Sequence, residues 1–211
     1  ILLLLNIVAA YFYFRIDLTT EKRFTLTPAT KQMLRNIDDV VYVKVFLSGE
    51  FPAGFKRLRN ATLDMLKEFR AYSGNKVEFD FINPFEGISD TKQREEIFNQ
   101  LSEKGLEPRR LIENQEDYSE KIIFPGAMLF YKGRELPANL LLQQLNTGAE
   151  ETLNNSIALL EYNLANTIQK LQRSTKPSIA FLEGHGELPL DEVRDVMVSL
   201  SNYYQLQRLD I

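Results

Sequence analysis

Two hydrophobic periods alternate along this chain. Residues 41–47 switch strictly between faces, with Val41, Val43, Val45 and Leu47 on one side and Tyr42, Lys44 and Phe46 on the other. That is a strand whose second face is also partly buried. Just before it, Thr27 and Pro28 form a helix start, the hydroxyl as cap and the proline at the first helical position, and Met33, Leu34 and Ile37 supply an apolar side. After a Gly- and Pro-containing loop (residues 48–54, SGEFPAG), Leu58, Ala61, Met65, Phe69 and Tyr72 recur at steps of three and four, which predicts a helix. Lys56, Arg57, Arg59, Lys67 and Arg70 take its other positions. They read as a solvated surface, with a basic binding face as the competing reading.

Gly74 and Asn75 turn the chain into a second strand, VEFDFINP, closed by Pro84. A helix is expected over 90–104, with Asp90 as cap and Gly105 as stop, followed by a charged, irregular stretch over 107–121. IIFPGAMLFYKGRELP predicts a strand interrupted at Pro125–Gly126, resumed through Tyr131, turned at Lys132–Gly133 and followed by an edge strand toward Leu142. Residues 150–173 carry the longest periodic pattern: Leu153, Ile157, Leu160, Leu164, Ile168 and Leu171. It predicts one long helix lying along its own domain, a coiled-coil partner helix being the alternative. A short strand (179–182), a glycine turn, a helix (191–203) and a strand (YQLQRLDI) then open a doubly wound α/β arrangement.

The order strand, helix, strand, helix, hairpin over residues 40–149 is thioredoxin-like, and PGAMLFYKGRE has the look of that fold's late hairpin. The loop before the first long helix holds no cysteine pair, so a redox site is not expected. Five segments result: residues 1–16 as the end of a transmembrane helix, 17–39 as a juxtamembrane stretch with a short helix, and 40–149 as the thioredoxin-like α/β domain. Residues 150–175 form a long helix, and 176–211 start a second α/β domain.

The membrane assignment rests on residues 1–14 (ILLLLNIVAAYFYF), apolar but for Asn6 and the tyrosine hydroxyls. As a helix they cover about 21 Å, short of a hydrocarbon core of roughly 30 Å. Tyr11, Tyr13 and Arg15 suit an interface. The chain opens on Ile1 and not on methionine, so the expectation is a piece of a longer protein in which preceding residues complete the span and a second domain continues past Ile211. A signal-peptide core fits less well, because Ala9–Ala10 runs into Tyr-Phe-Tyr-Phe; a buried soluble helix is seldom apolar all round.

Composition narrows the chemistry. With 211 residues, 44% hydrophobic and 26% charged, the chain has the balance of a folded protein. A net charge of −4 argues against a nucleic-acid partner, which needs a concentrated basic surface. There is no cysteine, which removes disulfides, thiolate metal sites and thiol catalysis, and only one histidine, His185. The one segment with enzymatic appeal is Glu183, Gly184, His185, Gly186 and Glu187, at the carboxyl end of a strand, where open α/β sheets bind ligands. An imidazole between two carboxylates could act as a base. The donor set is poor for a metal, and both glycines equally suit a tight structural turn. No phosphate loop or nucleophile elbow occurs, so no catalytic residue, cofactor or metal is expected. The adjacent pairs Asp38–Asp39, Glu95–Glu96 and Glu150–Glu151 read as surface charges.

Taken in order, the apolar anchor, LTTEKRFTLTPAT, VVYVKVFLSGEFPAGFKRLRNATLDMLKEFRAYS, VEFDFINPFEG, IIFPGAMLFYKGRELP, LNNSIALLEYNLANTIQKL and IAFLEGHGEL resemble the GldG family, auxiliary components of an ABC-type transporter linked to gliding motility in Bacteroidetes. The resemblance covers nearly the whole chain. It implies a non-catalytic subunit at the inner (cytoplasmic) membrane with its body on the periplasmic side, in contact with lipid. It also implies a GldF-like permease as partner and, through it, a GldA-like ATPase. Charge alone leaves the orientation open. Two other readings stand beside it: a cell-envelope enzyme using the EGHGE turn, and a redox-inactive thioredoxin-like adaptor.

Overall fold

The computed structural model describes residues 26–114, 119–143, 147–173, 178–184, 186–201 and 204–210. The expected anchor (1–16), the start of the juxtamembrane stretch and His185 lie outside these. Among the described residues no helix is long and apolar enough to cross a membrane.

Helix α1 (Pro28–Arg35) begins as its sequence suggests: the Thr27 hydroxyl accepts the Thr30 N–H at 3.3 Å and proline fills the first turn. It leads to β1 (Val41–Val45), whose Val41, Val43 and Val45 are fully buried while Tyr42 and Lys44 are half-buried. Helix α2 (Ala53–Tyr72) packs over the buried face through Leu58, Met65, Leu66 and Phe69. Thr62 sits in the same stripe at 0% exposure, its hydroxyl donating to the Leu58 carbonyl at 2.8 Å. Strand β2 (Val77–Phe81) lies parallel to β1, with Val41 opposite Val77 and Val45 opposite Phe81.

After β2 comes α3 (Thr91–Glu103), capped by Asp90, whose carboxylate accepts the Gln93 N–H at 2.9 Å. No residue of α3 is fully buried, and it covers the second face of the sheet only through Phe98 and Leu101, against Phe46, Leu106, Phe124 and Met128. The stretch expected to be irregular forms a hairpin instead: β3 (Arg109–Asn114) pairs antiparallel with β4 (Ser119–Ile123) as a separate two-stranded sheet. Its charges mimic a loop, but ladder hydrogen bonds come from the backbone and tolerate polar side chains on a solvated face.

The break foreseen at Pro125–Gly126 carries the chain from this hairpin into the main sheet. There β5 (Gly126–Tyr131) runs antiparallel to β1 and to β6 (Arg134–Asn139), giving the order β2-β1-β5-β6. Lys132 (φ 47°) and Gly133 (φ 76°) form the two-residue turn, both left-handed as a type I′ hairpin requires.

The long helix foreseen over 150–173 is two helices, α4 (Ala149–Ala158) and α5 (Leu160–Gln172), parted at Leu159 (φ −95°, ψ 2°). One turn earlier the Ser156 hydroxyl donates back to the Thr152 carbonyl at 2.7 Å and accepts the Leu142 N–H at 2.9 Å. Such back-bonding bends helices, and the tie to Leu142 fixes the bend. Leu153, Leu160, Leu164, Ile168 and Leu171 still enter one core with α2 and the sheet. That core also takes in Leu26, Leu34 and Ile37, so stretches read as three separate segments share one interior.

Strands β7 (Ser178–Glu183) and β8 (Gln205–Asp210) pair in parallel, with α6 (Leu190–Ser201) between them in sequence, which is the strand, turn, helix, strand series expected. Overall the chain is mixed α/β.

Candidate functional site

The EGHGE turn follows the end of β7. Glu183, its last residue, ion-pairs with Arg208 on β8. The Gly184 N–H donates to the Glu187 carboxylate at 2.7 Å. Gly184 (φ 101°) and Gly186 (φ 84°) both take left-handed conformations, for which glycine is the low-cost choice. Both carboxylates that flank the histidine in sequence are therefore engaged, one across the sheet and one with the turn's own backbone. His185 lies outside the described residues. Among those described, no group of three or more His, Cys, Asp or Glu side chains could hold a metal ion.

A second polar cluster, which the sequence pattern did not single out, joins the loop after α1 to the β5–β6 turn. Asp38 accepts hydrogen bonds from the Tyr131 hydroxyl on one carboxylate oxygen and from Lys132 on the other, the latter at 2.6 Å. It borders an open cleft of about 590 Å³ lined by Asn36, Asp38, Tyr131, Lys132, Arg134 and Gln172. The sequence offered one clue: a lysine beside glycine in a two-residue hairpin turn forces a non-glycine residue to positive φ. Asp38–Asp39 had read as plain surface charge. In the structure the two diverge, as neighbours do, and the Asp39 carboxylate accepts the Val40 N–H at 2.7 Å.

Electrostatics decide what the cluster can do. The Lys132 hydrogen bond, then that of Tyr131, hold the Asp38 carboxyl at about 2, below its usual 3.8. The same contacts push Tyr131 and Lys132 up, each chiefly through its hydrogen bond to Asp38. Proton transfer near neutrality needs a pKa near the working pH. Here the base is made weaker and both acids are made weaker. The cluster is a clamp between the turn and the α1 loop, ill-suited to general acid–base work.

The basic residues of α2 are also engaged locally. Arg57 pairs with Glu150, Lys67 with Asp64 at 3.5 Å, and Lys56 with Glu50 at 3.4 Å. Arg59 stacks over Phe81 at 5.2 Å and Arg70 over Phe79 at 4.4 Å. These contacts suit a helix surface completed by its own neighbours and leave little of a continuous basic face. In the loop before α2, Phe51 is buried and Lys121 donates to the Glu50 carbonyl at 3.2 Å.

Compared with known proteins, residues 20–130, from ahead of α1 to within β5, match the family described as "Domain of unknown function (DUF7088)". No curated protein and no solved structure matches the chain. The chain belongs to the DUF7088 family.

Proposed function

We propose that this chain is a non-catalytic, membrane-anchored auxiliary subunit of an ABC-type transporter linked to gliding motility, with its body on the periplasmic side of the inner membrane. In this reading residues 40–149 are a thioredoxin-like unit without a redox site, and a GldF-like permease and a GldA-like ATPase are the working partners. The observation that carries it is the element order: parallel β1 and β2 joined by α2, then α3, then the antiparallel β5–β6 pair in one sheet, with a thiol-free loop ahead of α2. That combination supports a binding scaffold over a reaction centre. The proton-holding groups of the Asp38 cluster, each shifted away from neutrality, support the same reading.

The reading of the EGHGE turn as an active site is tested by a His185→Ala strain. An acid–base histidine contributes a factor of about 10² to 10⁴ in rate. On the scaffold reading, motility and transport persist at normal protein level. Their loss with normal abundance and assembly would overturn it.

A further inference from the structure

Edge strands leave backbone groups unpaired, and this sheet treats its two edges differently. On the β6 edge, the pair Tyr131–Arg134 closes the two-residue turn and hydrogen-bonds, as do Leu129–Leu136 and Ala127–Ala138 by alternation. Glu135 and Pro137 therefore turn their backbone outward. The proline removes an outward donor, a common way of closing an edge.

The β2 edge has no such device. Its ladder to β1 starts with the Val41 N–H on the Lys76 carbonyl and ends with the Ile82 N–H on the Val45 carbonyl, each at 2.8 Å. Residues 76, 78, 80 and 82 thus face β1, and Val77, Phe79 and Phe81 turn their N–H and C=O groups outward. Val77 is closed off: its N–H donates to the Ser73 hydroxyl at 3.0 Å, and its carbonyl accepts from Arg70 Nε at 3.1 Å. The groups of Phe79 and Phe81 remain, with no strand beyond them among the described residues.

The side chains flanking this row differ by face. Glu78 and Asp80 are exposed on one face, beside a hollow of about 460 Å³ that Tyr42, Arg70, Asn75 and Phe79 also line. On the other face the half-buried rings of Phe79 and Phe81 lie under Arg70 and Arg59. A strand laid here would set every second side chain beside the two carboxylates and the others beside the rings.

We propose that the β2 edge captures, as an added strand, an extended segment of a partner protein that alternates basic with apolar side chains. Charge complementarity with Glu78 and Asp80 selects this occupant. A second copy of the chain fits worse, because two-fold antiparallel pairing centred on Phe79 sets Glu78 directly opposite Asp80 of the other copy, and like charges so placed destabilise. The inference goes beyond the transporter reading and rests on β2 alone.

The test titrates the full chain with a short synthetic peptide alternating lysine and valine, followed through backbone amide resonances. A matched peptide, N-methylated at every residue, keeps charge and side chains but offers no N–H on either edge and so cannot form a ladder. Expected are shifts centred on Phe79 and Phe81, at least about tenfold weaker binding of the N-methylated peptide, and up to about tenfold weaker binding by Glu78→Gln/Asp80→Asn. Any of four results overturns the proposal. These are no binding, equal binding of the N-methylated peptide, equal binding of a glutamate–valine peptide, or self-association of the chain through β2.

Discussion

Gly126 sits where the chain passes from the β3–β4 hairpin into the main sheet, and Gly126→Ala tests how tightly that passage is packed. A Cβ placed there lies 2.7 Å from Leu106 Cδ2, 3.2 Å from the Ala138 carbonyl oxygen and 3.5 Å from Asn139 Oδ1. The Leu106 methyl can swing, but Leu106 is 2% exposed and packed among Phe46, Phe124 and Met128, so the swing moves the collision into their cluster. The Ala138 oxygen is backbone, held in the β5–β6 ladder, and cannot yield alone. Two effects oppose. Gly126 is not among the positive-φ residues, so alanine suits its backbone and gains about 0.4–1 kcal/mol by restricting the unfolded chain. Overpacking a tight interior costs about 1–3 kcal/mol. The second effect wins, with a net loss of about 1–2 kcal/mol and a Tm lower by roughly 2–8 °C. Urea and thermal unfolding followed by far-ultraviolet circular dichroism and tyrosine fluorescence measure this, since the chain has no tryptophan. Adding Leu106→Val, which withdraws the obstructing methyl, should show a favourable coupling of at least about 0.5 kcal/mol. Stability of Gly126→Ala at or above that of the parent would refute the packing argument.

Two further tests address the clamp and the turn. Because the Asp38 carboxyl is depressed in the folded state to about 2 from 3.8, its stabilising contribution is present above pH 3.8 and is lost as pH falls toward 2. Denaturation midpoints of the parent should therefore fall more steeply over that window than those of Asp38→Asn; matching slopes would remove the clamp from the account. At Gly186, φ is 84° and an added Cβ meets nothing within 4 Å, so Gly186→Val carries only backbone strain, about 1–3 kcal/mol. Hydrogen exchange at the β7 and β8 amides should accelerate accordingly, and unchanged protection would show that the turn relaxes freely.

Much of this arrangement was legible in the sequence because burial and pattern agree. The alternation at Val41, Val43 and Val45 marks a strand packed on one face, and the Thr27–Pro28 and Asp90 caps mark helix starts that the backbone uses. Three things were not legible. The β3–β4 hairpin pairs a charged segment through its backbone, which side-chain pattern does not report. The kink at Leu159 depends on the Ser156 hydroxyl meeting Leu142, a contact 14 residues apart. The Asp38–Tyr131–Lys132 clamp joins residues 93 and 94 positions apart, so no local motif announces it. In the turn at residues 183–187, left open in the sequence between a ligand site and a structural turn, Gly184 and Gly186 both take positive φ. The engagement of Glu183 by Arg208 required the pairing of β7 with β8.

The central claim is the place of this chain in a membrane transporter, and the most direct measurement is co-purification of its natural full-length protein. Membranes from cells that make it are cross-linked and solubilised in mild detergent, the protein is captured by an affinity tag, and its companions are identified by mass spectrometry. The account predicts a multi-span permease and its ATPase recovered in fixed proportion to the tagged protein. Recovery of the protein from the soluble fraction, or from membranes with neither companion, would contradict it.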